Sequence, residues 1–327
     1  MRLTFVNVGY GEAMVLECPD PACRNGLFVM LIDGGGNEPS EFADRSSGRV
    51  PMAEYLSDRG LDHIDVMVST HIHEDHICGF QPLLEHWTPR ELWQSLPTDF
   101  YRNMRPLDIP ESVTPSQSKF LRALNDYGRL CALVERRGGT IRTVTAPARM
   151  ELCRDLTVQV LGPSVPQARE LETLLSGVYG AEPAEFWSRL DRLDARMNNF
   201  SLILRLDYRG TRLLLPGDTN CLGYDGLEKE DLRAHLFKVG HHGQRDGVSR
   251  EQLRAVAPAA VVCCASSDRR YNSADPGVLT MAAEGGARLY FSDCPPVPGA
   301  AEPLPPHQAL EFTVGPDGML QGRYLPL

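Results

Sequence analysis

The chain has 327 residues, of which 42% are hydrophobic and 23% charged, and its formal net charge is −10. That length supports a substantial core, while the acidic balance argues against a broad basic face for gripping duplex nucleic acid, so any polyanion has to be met locally. No window approaches the ~18 uninterrupted apolar residues of a membrane span, and the nine cysteines are scattered without a C-x-x-C pair; together these predict a soluble chain with no membrane partner in a reducing cytoplasm.

Residues 3–8, 13–18 and 27–33 predict three short strands, the first two joined by Gly9-Tyr10-Gly11-Glu12 and the third ending in Asp33-Gly34-Gly35-Gly36. The glycines let backbone pass close to a metal or an anion, and Asp33 is placed to orient a ligand histidine from behind. A helix over 52–59 leads to a buried strand over 64–69, which runs into Thr70-His71-Ile72-His73-Glu74-Asp75-His76. Imidazoles and carboxylates resist burial unless something pairs with them, and a divalent metal supplies that pairing. Alternate side chains of an extended or turning backbone point the same way. His71 and His73 therefore converge on one ion while Asp75 and His76 reach a neighbouring one.

Beyond the cluster, residues 79–86 predict a helix, 91–94 a strand and 106–115 a loop rich in breakers. From 116 a helical period places Phe120, Leu121, Leu124, Tyr127, Leu130, Cys131 and Val134 on one face. Strands are expected over 140–144 and 156–161, then a helical stretch over 166–197 that either covers the site or packs outside. Residues 200–208 and 211–215 form a hairpin ending in Pro216-Gly217-Asp218-Thr219. The next two strands, 236–239 and 259–264, deliver Gly240-His241-His242-Gly243 and Ala265-Ser266-Ser267-Asp268. Three strands thus aim polar residues at one edge, and the Pro-rich stretch 295–306 reads as a loop.

The H-x-H-x-D-H arrangement resembles the metallo-β-lactamase superfamily, and the resemblance is strongest to the hydrolase domain of the ComEC competence proteins and their free-standing relatives. Val8-Gly9-Tyr10-Gly11-Glu12-Ala13 resembles their opening V-G-Q-G-D-A. Asn198-Asn199-Phe200-Ser201-Leu202 is similar to their N-x-x-S-L, Leu215-Pro216-Gly217-Asp218 to L-x-G-D, and Lys238-Val239-Gly240-His241-His242-Gly243 to K-V-x-H-H-G. The resemblance implies an α/β fold, the four-layer αββα sandwich, spanning 1–327 as one domain with helical insertions near 100–137 and 166–197. It also implies metal ligation by His71, His73, Asp75, His76, Asp218 and His242, with Asp218 bridging two divalent ions, zinc or manganese. As in the ComEC group, no histidine lies between His86 and His235, so the third imidazole that lactamases give the first metal is missing. Three protein ligands and a water remain an open catalytic arrangement.

These residues predict a binuclear metal-dependent hydrolase, a phosphodiesterase or nuclease acting on a small nucleotide or a nucleic acid through metal-activated water. Asp75, His241 and Lys238 are the candidate catalytic residues, and Asn198, Asn199 and Ser266 the candidate substrate contacts. Hydrolysis of an amide, ester or thioester bond is the alternative, and a regulatory module without catalysis the third reading.

Overall fold

The period-2 alternation of the apolar runs decides the architecture. The computed structural model describes residues 1–293 and 304–327. Its strands, in chain order, are β1 (Arg2–Val6), β2 (Ala13–Pro19), β3 (Leu27–Gly34), β4 (Ile64–Val68), β5 (Pro89–Gln94), β6 (Thr140–Thr143), β7 (Ala148–Cys153), β8 (Leu156–Gly162), β9 (Ile203–Tyr208), β10 (Thr211–Leu215), β11 (Leu236–Lys238), β12 (Ala260–Cys263), β13 (Arg288–Phe291), β14 (Ala309–Val314) and β15 (Leu320–Leu325). One sheet has the order β15-β14-β1-β2-β3-β4-β5-β6 and the other β13-β12-β11-β10-β9-β8-β7. Along β3, Phe28, Met30 and Ile32 join a core shared with Leu204, Leu206 and Leu236 of the second sheet. Their neighbours Val29 and Leu31 turn outward to a helical layer. Along the second sheet, Ile203, Phe237 and Val261 likewise face the opposite helical layer. Each such side chain contributes about 1.5–3 kcal/mol by leaving water, so alternating residues on two sheets produce three apolar layers between four structural ones. The αββα sandwich expected from the resemblance is the observed fold.

The helices of the first outer layer are α1 (Met52–Asp58), α2 (Glu74–Ile77), α3 (Phe80–Leu83), α4 (Pro115–Arg136), α5 (Val165–Tyr179) and α6 (Phe186–Met197). On the other face lie α7 (Lys229–Leu232), α8 (Arg250–Val256) and α9 (Pro276–Glu284). Helix α4 starts where Pro115 follows a capping box: Thr114 Oγ1 accepts from Gln117 N and Gln117 Oε1 accepts from Thr114 N, both at 3.2 Å. Its predicted apolar face is buried. The expected helix over 79–86 shortens to α3, and strands β7, β13, β14 and β15 were not anticipated. Cys294 and most of the 295–306 stretch lie outside the described residues. Among the described residues, no helix is long and apolar enough to cross a membrane.

Strands β3 to β6 run parallel, as do β10 to β13, and open parallel sheets build sites beyond their carboxyl ends. One close approach seats the histidine turn there. Gly79 N donates to Gly35 O at 2.8 Å, and a Cβ at Gly79 would fall on the carbonyl oxygen of Gly34. Gly79→Ala is therefore expected to lower stability by about 1–3 kcal/mol through forced displacement of the turn, read as a lower urea midpoint at unchanged m value.

Candidate metal centre

Four strand ends deliver the site. His71, His73, Asp75 and His76 follow β4, Asp33 ends β3, Asp218 follows β10, and His242 follows β11. His71 Nε2 and His73 Nδ1 stand 3.0 Å apart. Asp218 Oδ2 lies 3.2 Å from His76 Nε2 and 2.9 Å from His242 Nε2, and Asp75 Oδ2 lies 3.0 Å from His242 Nε2. Both Asp33 and His242 take left-handed backbone, φ 54° and 51°, a local strain of the kind that clusters at functional sites.

The remaining ring nitrogens are already engaged. His76 Nδ1 donates to Asp33 Oδ2 at 2.8 Å and His242 Nδ1 to Cys264 O at 2.9 Å. Thr70 Oγ1 donates to Asp33 Oδ2 at 2.6 Å and so accepts from His71 Nδ1 at 3.1 Å. Asp33 thereby ties His71 and His76 into one hydrogen-bonded frame. In the neutral rings, with Nδ1 donating, each Nε2 of His71, His76 and His242 is left as a lone pair directed inward.

Whether these residues fit a cation is decided by what those lone pairs meet. His76 Nε2 and His242 Nε2 are buried with no hydrogen-bond partner, although a carboxylate oxygen is in contact with each. Buried polar atoms in that state are rare, and a divalent ion among the donors satisfies them together. Ligand atoms of Glu12, His76, Asp218 and His242 lie within 4.8 Å of one another. Glu12, however, is in contact with the Lys238 ammonium, so Asp75 is the better fourth donor.

The electrostatics of the metal-free site agree. Burial works to raise Asp218 and Asp75, but the His242 and His76 imidazoles hold both carboxyls below their ordinary range. Burial works to lower His76 and His242, and the carboxylates of Asp218 and Asp75 raise both above the ordinary 6.5. His71, buried beside two other imidazoles, is pushed well below 6.5. A raised folded-state pKa gives stability that is present below 6.5 and lost as pH rises through the raised value; the lowered His71 removes stability as pH falls below 6.5. The thermal midpoint of EDTA-treated protein is thus expected to peak near pH 6.5 and to fall toward pH 8. The extra stabilisation by added zinc or manganese should grow over the same interval, because ligation requires neutral imidazoles. Thermal scans at several pH values check this, and a flat profile would count against it.

A cavity of about 240 Å³ opens over the cluster, walled by His73, Asp75, Asn198, His241 and Tyr271 among others. His241 Nδ1 pairs with Asp246 Oδ1 at 2.8 Å. Of the six expected catalytic and substrate-contacting residues, three do not line this cavity. Lys238 is fully buried, its Nζ donating to Gly217 O at 2.8 Å and lying 3.3 Å from Asp218 Oδ1. It is placed to hold Asp218 from behind, and direct contact with a substrate is closed to it. The hydroxyl of the fully buried Ser266 is turned to Asp268, and Asn199 faces Gly223 beside Thr219. Reasoning from sequence missed Tyr10, Lys119 and Asp194, which do line it. The V-G-Y-G-E turn marked Tyr10, whereas Lys119 and Asp194 sit in helices whose polar faces carried no motif.

Two back-to-back sheets with histidines and aspartates gathered at one edge define a protein of the metallo-β-lactamase fold. Residues 23–112 match the family model described as Metallo-beta-lactamase superfamily. Over 303 residues the chain is 24% identical to ComE operon protein 3 of Bacillus subtilis (strain 168), covering 89% of this chain and 32% of that protein. The chain spans about a third of the length of that relative. Among solved structures it is similar to Zn(2+)-bound PqqB from Methylobacterium extorquens, at 11% identity and TM-score 0.48, covering 90% of this chain and 98% of that one. It is also similar to Tm1679, a metal-dependent hydrolase of the beta-lactamase superfamily, at 11% identity and TM-score 0.44, covering 89% and 95%. The chain is thus similar to the metallo-β-lactamase superfamily over residues 23–112 and to ComE operon protein 3 over most of its own length.

Proposed function

We propose that the chain is a binuclear metal-dependent hydrolase of phosphodiester bonds, acting on a small nucleotide or the end of a single strand. The observation that carries the reading is the pair of buried, unpartnered imidazole nitrogens of His76 and His242 facing the carboxylates of Asp75 and Asp218 at the floor of an open cavity. His71, His73 and Asp218 would hold one ion and Asp75, His76, His242 and Asp218 the other, zinc or manganese. When bound, such ions supply Lewis acidity, drawing charge from a phosphoryl oxygen and making water acidic enough to ionise near neutral pH.

The chain's own residues supply the rest. Asp33 and Thr70 fix the ring orientations. Lys119, at the cavity wall and 3.5 Å from Glu74, offers an ammonium to a non-bridging phosphate oxygen. His241, steadied by Asp246, keeps Nε2 available to hold a proton for the leaving oxygen. Asn198, on the same wall, offers an amide to the substrate. The acidic surface favours a short or single-stranded substrate over long duplex.

Protein loaded with manganese or zinc would be assayed on bis-p-nitrophenyl phosphate, a nucleotide panel and a thioester and ester panel, with His73→Ala and Asp75→Ala as controls. Phosphodiester turnover lost in both variants is the expected result. Turnover of the carbonyl substrates alone would replace the reading with the alternative hydrolase, and unchanged rates in both variants would remove the site.

A further inference from the structure

The first pair of imidazoles is one donor short, and the structure shows what stands beside it. His73 Nε2 lies 3.1 Å from Asp194 Oδ1. Asp194 belongs to α6, inside the helical stretch whose place the sequence left open. Leu190, Leu193 and Met197 are buried and anchor that helix, with α5 packed along it. Gln117 Nε2 of α4 donates to Asp191 Oδ1 at 2.9 Å, and Ser116 Oγ stands 3.5 Å from Asp194 Oδ2. On its other side the His73 ring meets Phe120 of α4 edge-on, centroids 5.5 Å apart. The other three imidazoles are oriented by Thr70, Asp33 and Cys264, which belong to the sheets and their strand ends. His73 alone is held by the inserted helices.

We propose that Asp194 is the positioning residue of His73 and that, through it, helix α6 compensates the first metal site for its missing imidazole. The carboxylate accepts the Nε2–H, which fixes the tautomer with the Nδ1 lone pair facing His71 Nε2, and it makes that lone pair a stronger donor. Asp194 does not itself join the ligands: the two nitrogens of an imidazole point to opposite sides of the ring, so a group on Nε2 lies away from an ion on Nδ1. The inference rests on the reading of His71 and His73 as ligands of one ion.

Zinc titration of metal-stripped protein against a chromophoric chelator tests it, with thermal midpoints of the metal-free proteins measured in parallel. Wild type is expected to take two ions per chain. Asp194→Ala should weaken one of them by about 10- to 100-fold and leave the other unchanged. Asp194→Asn, which keeps an acceptor for Nε2–H, should lose less, and Asp191→Ala, one turn away and off His73, should match wild type. Two undiminished sites in Asp194→Ala would overturn the proposal, as would an equal loss in Asp191→Ala, which would mark helix packing alone. A wild type that binds fewer than two ions, or a His73→Ala variant that still binds two, would instead overturn the reading beneath it. Should Asp194→Ala fail to fold, Asp194→Asn compared with Asp191→Ala decides.

Discussion

Asp218→Ala is expected to lower kcat/KM for a phosphodiester by about a thousandfold and to reduce the metal content per chain. Asp218 Oδ2 faces both His76 Nε2 and His242 Nε2, at 3.2 and 2.9 Å, while Oδ1 is held by Lys238. Its backbone N–H donates to Ser201 Oγ at 3.2 Å, so the carboxylate is fixed from several directions before any ion arrives. Loss of Lewis-acid stabilisation is worth several kcal/mol, and about 4 kcal/mol corresponds to three decades of rate. Asp218→Asn separates charge from shape: it keeps the volume and one acceptor while removing the negative charge, and should fall nearly as far. The measurements are metal content per chain and hydrolysis of bis-p-nitrophenyl phosphate. Full activity with two ions retained in Asp218→Asn would show that no bridging carboxylate is needed.

The parts of this site legible in the sequence are those whose geometry is local. The run from Thr70 to His76 declares its cluster of imidazoles and carboxylates because a strand end and alternate residues fix their directions. The strand-terminal Asp33, Asp218 and His242 declare their positions because a parallel sheet collects its carboxyl ends on one side. Lys238 shows the limit: sequence gives its charge and its strand, but not that residue 238 points into the sandwich toward Glu12, away from the cavity. Asp194 shows a second limit, since a polar residue on an amphipathic helix reads as solvated surface until the packing of α6 against α4 brings it to His73. The strands β14 and β15 escaped for a different reason. Ala309–Val314 and Leu320–Leu325 carry Glu311 and Arg323 among their apolar residues, and the ion pair that lets Glu311 be buried is made only when the two strands pair.

Lys238→Met is expected to lower the stability of the metal-free protein by about 3–5 kcal/mol, because removing one partner of a buried pair leaves the other charge uncompensated. Lys238 and Glu12 are both fully buried and in contact, and Asp218 shares the same ammonium. Burial draws the Lys238 pKa down to about 7, so the loss is expected below that pH, where the ammonium is charged. Met preserves the length and volume of the side chain, so the loss reports charge and not a cavity. Replacing Glu12 as well, in Lys238→Met with Glu12→Leu, removes both ends of the pair and should recover part of the loss, as exchange of buried ion pairs for apolar groups often does. Urea unfolding of the two variants and of Glu12→Leu alone closes the cycle. A Lys238→Met protein as stable as wild type would mean that the Lys238–Glu12 contact carries no charge pair, the ammonium proton having passed to the Glu12 carboxylate so that both groups are neutral in the fold.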